Sequence, residues 1–230
     1  MGELQTNLLV MVACYSYIVL IILASGYLKR GILDPKTSRK FLHSMIGNLP
    51  LIMPFFTESI YPFLVASPFI LVTYLATPYS PFKWVTEKLS SLSDLTEEGH
   101  HTGLIFYAIS YTALAYLFGT QPYLVAAGIF PMAYGDSLAA LIGMRYGKTR
   151  LGSKSLEGCA AMFLGSLISL LLGMAYFASI YGFSFLDQVI PCLLVSLVVM
   201  IVEFISPSGL DNIAVPALGA LTFILAGGGI

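Results

Sequence analysis

Long stretches of the chain carry no charged side chain. Five runs lack Asp, Glu, Lys and Arg entirely: residues 4–28, 59–82, 102–135, 158–186 and 212–230. A membrane-spanning helix needs about 20 mostly apolar residues, and several of these runs meet that length. Stretches such as Leu164–Leu172 do not alternate between polar and apolar residues, as the strands of an outer-membrane barrel would. The pattern predicts an all-α, polytopic membrane protein.

Turn residues divide the apolar sequence into eight predicted spans. The long run 102–135 must hold two of them, because Gly119-Thr-Gln-Pro122 in its middle is a turn signal. Segment 41–57 contains Pro50 and Pro54, so a re-entrant loop is the alternative there. The predicted spans are about 5–28, 41–57, 60–77, 103–118, 122–144, 157–180, 186–204 and 212–228. Residues 1–230 are predicted to form a single integral membrane domain.

Composition supports this interpretation and excludes other classes of protein. Apolar residues make up 57% of the chain, and charged residues make up only 10%, whereas a soluble domain carries about a quarter. A soluble globular domain, a disordered chain and a nucleic-acid-binding protein with a basic patch are therefore excluded. Cys14, Cys159 and Cys192 show no metal-binding spacing, and they are interpreted as small apolar core residues.

The basic residues are distributed unevenly over the predicted loops. With eight spans, all 11 basic residues fall on one side of the membrane, in the loops after spans one, three and five. They are Lys29, Arg30, Lys36, Arg39, Lys40, Lys83, Lys88, Arg145, Lys148, Arg150 and Lys154. The positive-inside rule places these loops in the cytoplasm and both termini outside. A re-entrant segment at 41–57 would divide the basic residues almost equally, so their distribution favours a true span.

Four groups of polar residues lie at the predicted cytoplasmic ends of spans. They are Ser38-Arg39-Lys40 with His43, Gly135-Asp136-Ser137, Lys154-Ser155-Leu156-Glu157-Gly158, and Glu203 with residues 206–212. Transporters more often place their polar site near the middle of the membrane. A site at one membrane face suits a water-soluble ligand that meets a lipid.

The residue types in these groups suit phosphate and a metal ion. Asp136 lies within an apolar segment, where an ionised carboxylate is costly and usually functional. Mg²⁺ is typically held by one or two carboxylates together with substrate phosphates. Lys and Arg neutralise phosphate oxygens, and Arg39, Lys40, Lys148 and Lys154 are available on the same face.

Structural explanations stay open for several of these residues. The basic residues also serve as topology determinants, and Glu157 in the first turn of a helix would complement the helix dipole. His43 is also explained as a hydrogen-bonded interior residue. The small residues that recur every fourth position along 135–147 favour helix packing over nucleotide binding. Residues 98–101 contain carboxylate and imidazole groups but lack a downstream partner for a zinc site.

Three motifs in these groups resemble those of the CTP-dependent polyprenol kinase family. Arg39-Lys40-Phe41-Leu42-His43 is similar to the family's R-K-x-x-H segment. Gly135-Asp136-Ser137-Leu138-Ala139 and Lys154-Ser155-Leu156-Glu157-Gly158 are similar to its G-D-x-x-A and K-S-x-E-G segments. Residues 203–212 resemble its C-terminal E-x-x-S-P-x-G-x-D-N segment. The family includes phytol, farnesol, geranylgeraniol and dolichol kinases and the CTP-using diacylglycerol kinase.

The resemblance implies an integral membrane kinase that transfers the γ-phosphoryl group of CTP to an isoprenoid alcohol such as geranylgeraniol or phytol. Mg²⁺ is the expected ion, held by Asp136, Glu157 and Asp211, and His43 or a carboxylate would take the proton from the alcohol. The expected nucleotide-binding residues are Arg39, Lys40, Lys148, Lys154, Ser155 and Asn212. The expected partners are the lipid alcohol, CTP and membrane lipids, without nucleic acid, and the expected location is the cell membrane of a prokaryote.

Two other functions remain as alternatives. A lipid cytidylyltransferase would transfer CMP to a lipid phosphate and release pyrophosphate. A transporter or flippase would bind an anionic solute without turnover and without a need for CTP. Product analysis separates these functions, because the kinase yields CDP and a lipid monophosphate.

Overall fold

The computed structural model describes residues 2–88, 102–152, 154–207 and 209–229. The α-helices in these residues are α1 (Glu3–Gly31), α2 (Pro35–Ile46), α3 (Ile60–Ala66), α4 (Pro68–Leu75), α5 (Lys83–Lys88), α6 (Gly103–Phe118), α7 (Pro122–Phe130), α8 (Asp136–Tyr146), α9 (Leu156–Tyr181), α10 (Val189–Ile205) and α11 (Asp211–Leu225). A short antiparallel hairpin, β1 (Arg150–Leu151) and β2 (Lys154–Ser155), joins α8 to α9. The prediction of an all-α fold is confirmed.

Four helical stretches among the described residues are long and apolar enough to cross a membrane: Glu3–Gly31, Pro122–Tyr146, Leu156–Tyr181 and Leu186–Ile205. Three shorter apolar helical stretches, Ile60–Leu75, Gly103–Phe118 and Asp211–Leu225, also coincide with predicted spans. The helices therefore lie where the apolar runs predict them. The number of spans and the side on which each terminus lies stay predictions.

The segment predicted as the second span is less regular than the others. Its helix, α2, ends at Ile46, and two 3₁₀ turns follow at Leu49–Leu51 and Met53–Phe55. Pro50 and Pro54 lie near the starts of these turns. Proline has no backbone N–H to donate and clashes with the preceding turn, so two prolines four residues apart disfavour a regular α-helix in this segment.

The stretch Pro122–Tyr146 forms the centre of the bundle. It consists of α7, one π-helical turn at Pro131–Gly135, and α8, and it is the most buried of the four long stretches. Helices α6, α9 and α11 pack around it, whereas α1 lies at the edge with most of its surface exposed. Lipid tails are as apolar as leucine, so close packing rather than hydrophobic burial holds such helices together.

Glycines permit the closest helix contacts. A methyl group added at Gly128 in α7 would lie 2.5 Å from the carbonyl oxygen of Pro216 in α11. One added at Gly158 in α9 would lie 3.2 Å from the carbonyl oxygen of Ala139 in α8. The small-residue stripe along 135–147 thus serves helix packing, because α8 lies against α9 along it.

The cysteines are free thiols in the interior of the bundle. Cys14 and Cys192 are buried in the main apolar core. Cys159 is partly buried and faces the cavity described below. The interpretation as small apolar core residues is confirmed for Cys14 and Cys192.

Replacing Gly128 with alanine is expected to destabilise the bundle. The new methyl group must displace the Pro216 backbone, and such overpacking costs roughly 2 kcal/mol. For a chain of this size that lowers the unfolding midpoint by about 4–8 °C, which thermal unfolding of the purified protein in detergent measures. Gly26→Ala is the matched control, because nothing lies within 4 Å of its added methyl group. Its midpoint should be unchanged or higher, and equal midpoints for the two variants would contradict the packing described here.

Candidate active site

A cavity of about 370 Å³ opens among α2, α6, α8, α9, α10 and α11. Its lining divides into charged and apolar parts. The charged side chains are Arg39, Lys40, Asp136, Arg150, Lys154, Glu203 and Asp211, and the larger apolar ones are Leu42, Ile46, Leu104, Met132, Met144, Met162, Met200 and Phe204. A cavity of this composition can receive a charged group and an apolar chain together.

Three carboxylates meet in the charged part of the cavity. Asp136 is the first residue of α8, Glu203 lies in the last turn of α10, and Asp211 is the first residue of α11. One carboxylate oxygen from each lies within 4.8 Å of the others. Like charges at this separation repel strongly where water is scarce, so nearby cations stabilise the ionised form of the group.

The turn between α10 and α11 brings two of these carboxylates together. Helix α10 ends at Ile205, and Pro207 follows where an α-helix cannot continue. Gly209 has a φ of +91°, a backbone conformation that residues with a Cβ rarely adopt. The chain therefore reverses within a few residues, and Glu203 and Asp211 face the same cavity.

Two lysines pair with the carboxylates. Lys40 Nζ of α2 lies 2.5 Å from Asp136 Oδ2, and both side chains are 12% exposed. Lys154 Nζ of β2 forms an ion pair with Glu203 and also donates to the Glu203 backbone carbonyl. These pairs join segments that are far apart in the chain, and they compensate charges that would otherwise be costly to bury.

The start of α11 is fixed by its own polar side chains. Asp211 Oδ1 accepts hydrogen bonds from the backbone N–H of Asn212 at 2.9 Å and from its side-chain amide at 3.0 Å. Ser110 of α6 donates to the Asn212 carbonyl at 2.7 Å. Asn212 therefore orients Asp211, while α6 holds the turn in position.

The π-helical turn connects α2 to the site. His43 Nε2 lies 3.1 Å from the Met132 carbonyl oxygen, and Ser44 donates to the Ala133 carbonyl at 2.9 Å. A carbonyl oxygen only accepts hydrogen bonds, so Nε2 of His43 carries a proton. In the neutral ring the free lone pair is then on Nδ1. Local π-helical geometry is frequent at functional sites, and here Asp136 follows it directly.

The hairpin supplies Lys154 and begins α9. Arg150 pairs with Ser155 and Leu151 with Lys154 in its antiparallel register. Ser155 Oγ accepts the backbone N–H of Gly158 at 3.1 Å, which is the usual N-cap interaction of a helix. The cap fixes the chain where Lys154 enters the cavity.

Eight of the predicted site residues line the cavity: Arg39, Lys40, His43, Asp136, Lys154, Ser155, Asp211 and Asn212. Two others lie outside its lining. The Glu157 carboxylate accepts the backbone N–H of Thr149 at 3.2 and 3.3 Å, and Lys148 is exposed before the hairpin. The alternative zinc group at 98–101 lies outside the described residues.

The structure also adds residues to the predicted site. Glu203, rather than Glu157, lies beside Asp136 and Asp211. Its signal in the sequence was a carboxylate within an apolar span, directly before the turn to Asp211. Arg150 and Tyr107 also line the cavity.

The carboxylate group fits a hard divalent cation. Mg²⁺ and Ca²⁺ prefer oxygen ligands, and Mg²⁺ commonly combines carboxylates with substrate phosphates and water. Asp136, Glu203 and Asp211 each present a carboxylate oxygen within 4.8 Å of the other two. Soft ligands do not enter this donor set, so it favours magnesium or calcium over zinc.

Comparisons with known proteins agree with this chemistry. No protein-family model and no solved structure matches the chain. Phytol kinase of Synechocystis sp. is 30% identical over 214 residues, which cover 90% of this chain and 86% of the relative. Probable phytol kinase 2 of Oryza sativa is 30% identical, covering 85% of this chain and 69% of the relative. Farnesol kinase of Arabidopsis thaliana is 28% identical, covering 86% and 67%.

These relatives match along most of the chain. All three carry the name of a kinase for an isoprenoid alcohol. The chain therefore belongs to the polyprenol kinase family and is a phosphotransferase.

Proposed function

We propose that this protein is a CTP-dependent kinase that phosphorylates an isoprenoid alcohol of the geranylgeraniol or phytol type at the cytoplasmic face of the membrane. One observation carries the proposal most strongly: three carboxylates and four cationic side chains meet in a cavity with an apolar wall. Phosphoryl transfer depends mainly on positioning and charge stabilisation, and this arrangement supplies both beside a surface that suits a lipid chain.

Asp136, Glu203 and Asp211 are the proposed ligands of the magnesium ion. Their oxygens are near one another, whereas Glu157 hydrogen-bonds to the Thr149 backbone outside the cavity. A bound ion would neutralise charge on the transferring phosphoryl group. Asn212 keeps Asp211 in place through two hydrogen bonds.

Lys40 and Lys154 are the proposed phosphate-binding residues, together with Arg39 and Arg150. The two lysines pair with Asp136 and Glu203, so they already lie where the triphosphate would meet the carboxylates. Cationic hydrogen-bond donors hold phosphate oxygens strongly. Lys148 lies outside the cavity lining, and its proposed contact with the nucleotide stays a prediction.

The acceptor hydroxyl must lose its proton as the phosphoryl group arrives. Nδ1 of His43 has the free lone pair, since Nε2 donates to Met132. The carboxylates are the other candidates, because a general base needs hydrogen-bond reach to its proton. His43 and the three carboxylates all line the same cavity. We propose that one of them takes the proton.

CTP is proposed as the phosphoryl donor because of the family motifs. The sequence contains no G-x-x-x-x-G-K-[ST] loop, so a P-loop nucleotide site is disfavoured. The membrane topology is proposed to have eight spans with both termini outside. In that topology every cation of the cavity comes from a cytoplasmic loop or the adjoining end of a span.

Removing one carboxylate charge at a time should show whether Glu203 or Glu157 binds the metal ion together with Asp136 and Asp211. Asp136→Asn and Glu203→Gln are expected to lose at least about a hundredfold in kcat, because a lost metal ligand costs several kcal/mol of barrier. Glu157→Gln is expected to lose far less. Turnover of radiolabelled CTP with geranylgeraniol measures this, and Mn²⁺ binding by electron paramagnetic resonance reports on the ion without turnover.

The control for these carboxylate variants is Glu58→Gln, an exposed carboxylate that does not line the cavity. It should be nearly silent in both assays. Each variant should also elute as a monodisperse protein, and its unfolding midpoint should match that of wild type. A larger loss in Glu157→Gln than in Glu203→Gln would show that the proposed ligand set is wrong.

Nucleotide competition tests the donor. Purified protein in detergent should use CTP in preference to ATP and GTP at equal concentration, and it should release CDP with a prenyl monophosphate. Release of pyrophosphate would instead indicate a cytidylyltransferase. Equal use of all three nucleotides would remove the basis for proposing CTP.

Cysteine labelling tests the topology. In a variant whose Cys14, Cys159 and Cys192 are replaced by alanine, a cysteine at Thr149 should be shielded from an impermeant thiol reagent in intact bacteria. A cysteine at Ser59 should be labelled. Both positions are exposed on the protein surface, so burial does not explain a difference, and the reverse pattern would contradict the proposed orientation.

A further inference from the structure

The backbone N–H of Asp136 closes the π-helical turn that precedes α8. It donates to the carbonyl oxygen of Pro131, five residues earlier, whereas an α-helix joins residues that are four apart. Such a turn holds one extra residue. If it relaxed to α-helical bonding, α8 would rotate by one residue, or about 100°, relative to α7. The direction of the Asp136 side chain therefore depends on whether the π-helical turn is kept.

Contacts from α2 and from the segment after it meet three successive residues of this turn. The carbonyl oxygens of Met132 and Ala133 hydrogen-bond to side chains of α2. The hydroxyl group of the next residue, Tyr134, donates to Oδ1 of Asn48. A methyl group added at Gly47 would overlap the Ala133 side chain, so the two segments are in close contact. The turn is thus held by directional bonds as well as by close packing.

Asn48 extends this contact to α1. Its Nδ2 donates to the Tyr17 hydroxyl oxygen at 3.0 Å, and the Tyr17 hydroxyl donates to the Met45 carbonyl at 2.7 Å. A carbonyl oxygen only accepts hydrogen bonds, so Tyr17 gives its single proton to Met45 and accepts from the Asn48 amide. The amide oxygen of Asn48 then points to Tyr134, which donates to it. Tyr134, Asn48 and Tyr17 thus form a relay with one arrangement of donors and acceptors.

We propose that Tyr134 and Asn48 are positioning residues for Asp136, because they hold the π-helical turn that directs its carboxylate towards Glu203 and Asp211. The inference rests on the proposed function and adds residues that act on a metal ligand from outside the cavity. Neither side chain lines the cavity, so both act through the backbone of the turn and not through contact with the substrates. Residues that orient a metal ligand commonly affect metal affinity.

The start of the turn shows why it depends on these outer contacts. Pro131 has no backbone N–H, so the α-helical hydrogen bonds of α7 are interrupted at this residue. Helix α9 also packs on the turn, where a methyl group added at Gly135 would overlap Ser166. Close packing sets how near the helices lie, whereas hydrogen bonds are directional and restrict rotation. The relay is therefore suited to fix the rotation of α8.

The matched variants Tyr134→Phe and Tyr176→Phe test the inference. Tyr176 of α9 donates to the Leu51 carbonyl at 2.7 Å, so each variant removes one hydroxyl bond to the segment after α2. Loss of one such bond should lower the unfolding midpoint of either variant by about 2–4 °C. Only Tyr134→Phe should raise the dissociation constant for Mn²⁺, by about tenfold. Electron paramagnetic resonance of the purified protein in detergent, with Mn²⁺ alone, measures this without turnover.

A double variant tests whether Tyr134 and Asn48 act together. Asn48→Leu removes the relay at similar side-chain size and should weaken Mn²⁺ binding at least as much as Tyr134→Phe does. The double variant should bind Mn²⁺ as Asn48→Leu does, because both changes remove the same bond and their effects cannot add. Additive losses would show that the two residues act independently and would overturn the inference. The Mg²⁺ concentration for half-maximal turnover should rise in the same order, with the KM for geranylgeraniol close to that of wild type.

The results also separate this inference from the proposed function. If wild type phosphorylates prenols and Tyr134→Phe matches it in metal dependence, the positioning role is wrong and the kinase proposal stands. Equal losses of Mn²⁺ affinity in Tyr134→Phe and Tyr176→Phe would indicate a general loosening of the bundle and would likewise overturn the inference. If wild type neither binds Mn²⁺ nor phosphorylates a prenol, both proposals fail.

Discussion

Mutual repulsion among three carboxylates is the constraint on which the rest of this structure depends. Asp136, Glu203 and Asp211 lie within 4.8 Å of one another inside a mainly apolar bundle, where charges interact far more strongly than in water. Lys40 and Lys154 reach the site from α2 and from the hairpin and compensate part of this charge. The positions of α2 and of the hairpin are therefore tied to the site.

The backbone of the central stretch makes the first of these ion pairs possible. The π-helical turn presents the Met132 and Ala133 carbonyls to His43 and Ser44 of α2. Lys40 lies three and four residues before them, so all three side chains share one face of α2. Docking that face onto the turn directs Lys40 to Asp136. The hydrogen bonds of His43 and Ser44 thus hold α2 where Lys40 reaches Asp136.

The sequence predicts most of the site but not the direction of each side chain. Asp136 and Asp211 could be found because a carboxylate at an apolar span is costly and rarely accidental. Glu157 also belongs to one of the family motifs, but its side chain does not face the cavity. Gly158, Cys159 and Met162 of the same helix do. At 100° per residue, Glu157 points about 150° away from the centre of their face. Glu203 lies beside Asp136 and Asp211 instead. The turn between α10 and α11 brings it there, and the motif alone does not show the path of that turn. Likewise, Tyr134 reads as an ordinary aromatic residue of an apolar helix, because its hydrogen bond to the segment after α2 is visible only in three dimensions.

The charges that line the cavity nearly balance, which bears on how the proposed magnesium ion and nucleotide would bind there. Counted as ionised, the four cations and three carboxylates that line the cavity leave one net positive charge on its lining. A magnesium ion and an ionised nucleoside triphosphate together bring about two negative charges, so binding would change the net charge only from slightly positive to slightly negative. At each stage most charges have a partner, which limits the cost of holding them beside apolar helices. The two lysines pair with the carboxylates, and in the proposed function the same side chains would stabilise phosphate.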